Sequence, residues 1–131
     1  MTHRSKFSFI AALTLAGLSF APSHARVAAQ ATVVVSADAY AYESITVSAT
    51  AVGFTSTLVS PANAPSAKLA ILTIETAGVR YRYDGTAPTA AQGHAAAMDT
   101  SLTVNGINNI NRFRIIKSGA TDATVRVTYL R

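Results

Sequence analysis

Ala123-Thr124-Val125-Arg126-Val127-Thr128-Tyr129, close to the end of the chain, decides the fold class. Successive side chains of an extended strand point to opposite faces, so Ala123, Val125, Val127 and Tyr129 share one side and Thr124, Arg126 and Thr128 the other. A helix would scatter these apolar residues around its circumference. The same period of two recurs upstream. Glu43 to Val52 sets Ile45, Val47 and Ala49 against Thr46, Ser48 and Thr50. Val79 to Asp84 sets Val79, Tyr81 and Tyr83 against Arg80, Arg82 and Asp84. Ile110 to Lys117 sets Ile110, Arg112, Arg114 and Ile116 against Asn111, Phe113, Ile115 and Lys117.

Three further stretches read as extended. Thr32 to Ala37 is a Val-rich leader or edge strand, and Ser101 to Val104 is a short strand. Lys68 to Thr76 is nearly continuous in Leu, Ala and Ile, which predicts a central strand covered on both faces. Turn chemistry separates the runs. Ser60 to Ser66 holds Pro61, Asn63 and Pro65 and must be loop, because proline lacks the ladder donor. Asp84-Gly85, prolonged by Pro88, makes a structural turn, and Asn105-Gly106 and Ser118-Gly119 signal two more. Ala90 to Met98 reads as a connection. About seven strands at this turn spacing predict an all-β protein, a single antiparallel β-sandwich of immunoglobulin/fibronectin-like or jelly-roll-like type.

The front of the 131-residue chain reads differently. Arg4 and Lys6 precede an uncharged run from Phe7 to Pro22, and Ser23-His24-Ala25 supplies small residues at the positions a signal peptidase reads. The strongly apolar part, Phe7 to Phe20, falls short of the ~20 residues a spanning helix needs. Residues 1–25 are therefore expected to be a helical export signal, and 26–131 the sandwich domain, with 26–43 a loosely attached leader. Export to the periplasm or the extracellular space follows from that reading. A retained membrane anchor and a mis-called start codon, which would leave the protein cytoplasmic or virion-associated, are the other readings. With the signal removed, nine Lys or Arg face six Asp or Glu, a net of +3. So small and dispersed an excess predicts no nucleic-acid partner, and no membrane contact is expected after signal cleavage. With no Cys in the chain, there is no disulfide to staple an exported domain, which must rely on its core or on contacts with other copies.

The candidate chemistry is sparse. His94 is the single histidine beyond the signal, so a zinc centre built from several imidazoles or thiolates is not available. No Gly-x-Ser-x-Gly elbow exposes a nucleophile. Asp84, Asp99 and Asp122 lie far apart and form no calcium loop. No cofactor and no catalytic residue is expected. Arg80, Arg82, Arg112 and Arg114, with Arg126, are the one constellation that reads as a partner-binding stripe, facing an acidic protein surface or a second copy. The competing reading of the same residues is a set of solvated guanidinium groups that keep a sheet soluble. Tyr81, Tyr83 and Tyr129 fall on inward faces and read as core. Without Trp, a carbohydrate platform has little support.

The series Arg80-Tyr81-Arg82-Tyr83-Asp84-Gly85-Thr86-Ala87-Pro88-Thr89, then Gly93-His94, Asn109-Ile110, Phe113-Arg114 and Val125-Arg126-Val127-Thr128-Tyr129, resembles a family of short phage and prophage proteins often encoded among virion structural genes. The resemblance covers roughly residues 44 to 131. The Asp-Gly-Thr-x-Pro-Thr turn is also similar to that of fibronectin-like domains appended to chitin-degrading enzymes. The first resemblance implies a small non-enzymatic virion-associated sandwich that decorates a capsid or tail and assembles in several copies. It carries over no catalytic residue. The chain departs from that family at its front, since a virion protein assembled in the cytoplasm needs no export signal. The alternative function is an exported bacterial surface or periplasmic module that binds glycan or an envelope protein.

Overall fold

The computed structural model describes residues 37–131. The export signal, and the Thr32 to Ala37 strand except Ala37 itself, lie outside the described residues. From Ala39 onward the order is β1 (Ala39–Val47), α1 (Ser56–Val59), β2 (Leu69–Glu75), β3 (Val79–Arg82), β4 (His94–Ala96), β5 (Ser101–Asn105), α2 (Ile107–Arg112), β6 (Arg114–Lys117) and β7 (Ala123–Leu130). Two antiparallel sheets, β1-β7-β2-β5 and β4-β3-β6, make an all-β sandwich.

The alternation in 123–129 holds residue by residue. Ala123, Val125, Val127 and Tyr129 are buried, while Thr124, Arg126, Thr128 and Leu130 face outward. What periodicity does not convey is where this strand goes. β7 lies between β1 and β2 and pairs antiparallel with both. In the immunoglobulin arrangement the last strand belongs to the other sheet. Here β7 is an inner strand of the larger sheet, and it alone joins β1 to β2.

Four sequence expectations are corrected. The strand expected over Glu43 to Val52 begins at Ala39 and stops at Val47, so residues 39–43 belong to the ladder with β7 rather than to a loose leader. Ala49 is exposed, because the chain crosses to the other sheet. There the N–H and C=O of Val52 both bond Ile115 at 2.9 Å, and Lys117 N–H donates to Ser48 O at 3.2 Å, covering the free edge of β6. The strand expected over Ile110 to Lys117 is half helix. Gly106, at φ 84°, turns the chain into α2. Ile107 and Ile110 have the i, i+3 spacing of a helical face, and Ile110 ends fully buried. Arg112 therefore sits on the last helical turn, and only Arg114 onward is strand.

The connection Ala90 to Met98 contains β4, which pairs with β3 through Val79↔Ala96, Arg80↔Ala95 and Tyr81↔His94. Finally, β2 is interior to its sheet, but not covered on both faces. Ala70, Leu72 and Ile74 are fully buried, whereas Ile71 is 40% exposed. The loop from Ser60 to Ser66 and the strand from Ser101 lie where the residues place them.

The core between the sheets gathers Val47, Val59, Leu72, Ile74, Val79, Val104, Ile110, Phe113, Ile115, Val125, Val127 and Tyr129. Phe54 stacks on Phe113 (4.8 Å between centroids, 3° between planes) and meets Tyr129 edge-on at 5.7 Å, which joins the two sheets through one aromatic seam. Burying a side chain of the size of Phe113 contributes about 2–3 kcal/mol before packing is counted.

Tyr129 carries the core's most demanding polar atom. Its hydroxyl donates to Glu43, whose carboxylate also accepts from Thr55 N–H at 3.1 Å and Thr55 Oγ1 at 2.5 Å. Glu43 lies on the inward side of β1, so a carboxylate is in phase with the buried residues. Its partners are Tyr129, near the end of β7, and Thr55, which precedes α1. Burial first, then the hydrogen bond to Glu43 and its negative charge, hold the Tyr129 phenol far above its ordinary pKa.

Candidate functional site

The segment between β3 and β4 carries the turn residues Asp84, Gly85 and Pro88, and its conformation is set by four side-chain clamps. Arg82 grips Asp84 with two parallel bonds, Nε to Oδ1 at 3.0 Å and Nη2 to Oδ2 at 2.5 Å. The same carboxylate accepts from Thr86 N–H at 3.1 Å and Thr86 Oγ1 at 3.2 Å. Thr89 Oγ1 then accepts from the N–H groups of Ala91 and Gln92 at 3.3 and 3.0 Å. Arg80 reaches across to the far end, donating from Nε to Ala90 O at 3.1 Å and from Nη1 to Gly93 O at 3.0 Å. Pro88 is the buried residue of this loop.

Two glycines are required. Gly85 (φ +86°) allows the turn after Asp84. At Gly93 (φ +121°) a Cβ would lie 3.0 Å from Tyr81 O and 3.1 Å from Pro88 Cβ. The Arg-x-Arg-x-Asp-Gly-Thr-x-Pro-Thr series is therefore the recipe for one rigid loop. Arg82 and its neighbours hold the Asp84 carboxyl down at about 2, the hydrogen bond from Arg82 being the largest cause.

The arginine stripe is brought together in part. Arg80, Arg82 and Arg114 share the outer face of the three-stranded sheet, with Arg82 directly opposite Arg114. Like charges at opposed positions repel, and the Asp84 pair offsets this. Arg114 Nη1 donates to Asn111 O at 3.1 Å and to Phe113 O at 2.7 Å. Arg112 stands apart on α2, its side chain beside Gly85. Arg126 lies on the outer face of the other sheet, bonded to Glu75 at 3.0 Å and to Ser44 Oγ at 3.0 Å. Three of the five guanidinium groups thus do structural work within the β3–β6 region, and Arg126 ties β2 to β1 across β7.

Where β3 runs into this loop, Arg82, Tyr83, Asp84, Gly93 and His94 line an open depression of about 410 Å³. Its rings are fixed from behind. Tyr83 meets Tyr81 edge-on at 5.4 Å and Phe113 at 5.6 Å, and His94 lies 5.4 Å from Tyr81 and 6.3 Å from Tyr83. Burial, with Tyr81 alongside, pushes the Tyr83 phenol up to about 12. Tyr81 and Tyr83 face inward as expected, half-buried and packed against the edge of the core on Phe113. Among the described residues no three His, Asp or Glu side chains are placed to hold a metal ion.

A second surface is formed by the outer face of the four-stranded sheet. One row across it reads Tyr42, Thr128, Ile71, Thr103, and the next Leu130, Leu69, Asn105. Tyr42 is 58% exposed and Ile71 40%. The charges on this face are Arg126 and Glu75, bonded to each other at 3.0 Å.

Neither surface follows from the period of two. The depression depends on Tyr81 and His94 becoming cross-strand neighbours, and that pairing is set by the loop geometry. The apolar outer face did leave a signal, since Lys68 to Thr76 is apolar in both phases of the alternation, and only one phase is needed for the core. No family model matches the chain, and no curated protein or solved structure is found similar to it.

Proposed function

We propose that this domain is a non-enzymatic structural module that works by surface contact within an assembly of several copies, as a virion-associated decoration of a phage or prophage capsid or tail. The observation that carries the assembly reading is the outer face of the β1-β7-β2-β5 sheet. It exposes Tyr42 and Ile71 in one row, with Leu69 and Leu130 beside them, and its charges are already neutralised by the Arg126–Glu75 pair. A face with exposed apolar side chains and no net charge suits another copy of itself, because two such faces meet without like-charge repulsion. The Arg80 to Thr89 series and its downstream companions support the virion setting by their resemblance to short virion-associated proteins.

Sedimentation velocity tests the assembly reading. The protein is expected to self-associate at micromolar concentration, and Ile71→Lys is expected to yield monomer with an unchanged melting temperature, since Ile71 faces outward. A wild-type monomer at all concentrations, or association untouched by Ile71→Lys and by Tyr42→Lys, overturns it. Capsid, portal or tail genes beside its own would support the virion setting, and envelope or glycan-degradation genes would count against it.

The second reading is an exported bacterial surface or periplasmic binding module. The depression beside Tyr83 and His94 favours it, because that concavity is preorganised and aromatic-walled.

A further inference from the structure

We propose that the depression lined by Arg82, Tyr83, Asp84, Gly93 and His94 is a binding site for an uncharged pyranose ring of a glycan. This inference does not depend on the assembly reading, since the depression belongs to the other sheet.

Three observations select this chemistry. The first is size and shape. A volume of about 410 Å³ lies within the ~300–1,000 Å³ of small-ligand sites, and an open mouth suits one ring of a longer chain better than a wholly enclosed molecule. The second is the aromatic wall. Tyr83 and His94 offer ring surface to a ligand, and Tyr83 is held from behind by Tyr81 and Phe113 at 5.4 and 5.6 Å. A pyranose has apolar C–H faces that pack on such a surface, and a ring already immobilised by packing loses little entropy when the ligand arrives.

The third observation is charge. Arg82 and Asp84 stand side by side in the lining as a closed bidentate pair. A free anion entering the depression meets the Asp84 carboxylate, and a cation meets the guanidinium, so neither sign is favoured. A neutral polyol is not opposed by either. Both Asp84 oxygens are occupied, each by Arg82 and by Thr86. Arg82 uses Nε and one Nη2 hydrogen on Asp84, which leaves Nη1 and the second Nη2 hydrogen for vicinal sugar hydroxyls as acceptors. The Tyr83 phenol, raised to about 12 by burial and by Tyr81 alongside, keeps its proton throughout the physiological range and adds no charge to the lining. The four clamps of the 83–93 loop keep these donors in place before any ligand binds.

Titration of the ¹⁵N-labelled protein, followed by amide chemical shifts, tests the proposal. The probes are neutral tetrasaccharides of gluco, galacto, manno and N-acetylglucosamine configuration, with glucuronate as the anionic control. At least one neutral probe is expected to shift the amides of Tyr83, Gly85, Gly93 and His94. His94→Ala, at an exposed position, is expected to weaken that binding at least tenfold with an unchanged spectrum elsewhere. Tyr83→Phe separates the ring from its hydroxyl and is expected to weaken binding less than His94→Ala does. No shift with any neutral probe at 20 mM, shifts confined to the other sheet, binding unaffected by His94→Ala, or binding of glucuronate alone overturns the proposal. Because Ile71→Lys leaves this depression intact, loss of association in that variant with sugar binding retained keeps the two readings separable.

Discussion

Replacing Glu43 by Ala tests whether the polar link between β1, β7 and α1 stabilises the sandwich as its geometry requires. The carboxylate accepts from the Tyr129 hydroxyl, from Thr55 N–H and from Thr55 Oγ1. Tyr129 has no exposed surface in the intact protein, so with its acceptor removed its hydroxyl reaches only such water as the half-exposed Glu43 position admits. A buried hydroxyl left without a partner costs about 1–3 kcal/mol, and the losses at exposed Thr55 add less than about 1. Glu43→Ala is therefore expected to cost about 2–3 kcal/mol.

Tyr129→Phe removes the donor and leaves the carboxylate its two bonds to Thr55, which puts its cost near 1.5 kcal/mol. Removing both partners together, as Glu43→Ala with Tyr129→Phe, leaves no buried hydroxyl without an acceptor. The double variant should be more stable than the sum of the single losses by about 1.5 kcal/mol. Urea unfolding followed by far-ultraviolet circular dichroism measures all three. With a slope of about 1–1.5 kcal/mol/M, Glu43→Ala lowers the midpoint by roughly 2 M at unchanged slope. A loss below about 0.5 kcal/mol in Glu43→Ala, or single losses that add within about 0.5 kcal/mol, refutes the link.

Two further outcomes follow from backbone geometry and from titration. Thr76, a β-branched residue between β2 and β3, has φ 74°. The left-handed region costs a side-chain-bearing residue about 1–2 kcal/mol, and glycine's extra chain entropy returns about 0.5–1. Thr76→Gly should therefore raise stability by about 0.5–1 kcal/mol in the same urea assay, and destabilisation would count against strain at this position. In alkali, the phenol of Tyr83, raised to about 12, and that of Tyr129, raised further, keep their protons in the folded protein while the unfolded chain releases them above pH 10. The unfolded state then binds fewer protons, so this stabilisation is complete below pH 10 and is lost as pH rises through 12. Melting temperatures should fall steeply between pH 10 and 11.5, and less steeply in Tyr83→Phe; a flat profile over that range contradicts the burial of both phenols.

The local side of this fold was legible in the residues. The alternations in 79–84 and 123–129 assign the correct side chains to the interior, and Pro61, Pro65 and Asp84-Gly85 mark breaks in the sheets, because a strand's period and a turn's chemistry are properties of neighbouring residues. Where two periods compete, tertiary contacts decide. Ile107 and Ile110 read equally well as helix, and the core takes them as α2. The continuous apolar run in β2 was legible too, but sequence periodicity says only that both faces are apolar, not whether anything covers the second.

The arginine pattern was also plain, yet its use was not. Whether Arg80 and Arg82 point to a partner or grip their own loop depends on carbonyls ten and thirteen residues away, and on a carboxylate that a turn brings back. The position of β7 between β1 and β2, the meeting of Glu43 with Tyr129 across 86 residues, and the approach of His94 to Tyr81 are likewise non-local. Periodicity along the chain determined which side of each strand is apolar. Only the tertiary structure decided which strands meet, because pairing is chosen by the packing of whole faces against one another and not by the order of residues within any one of them.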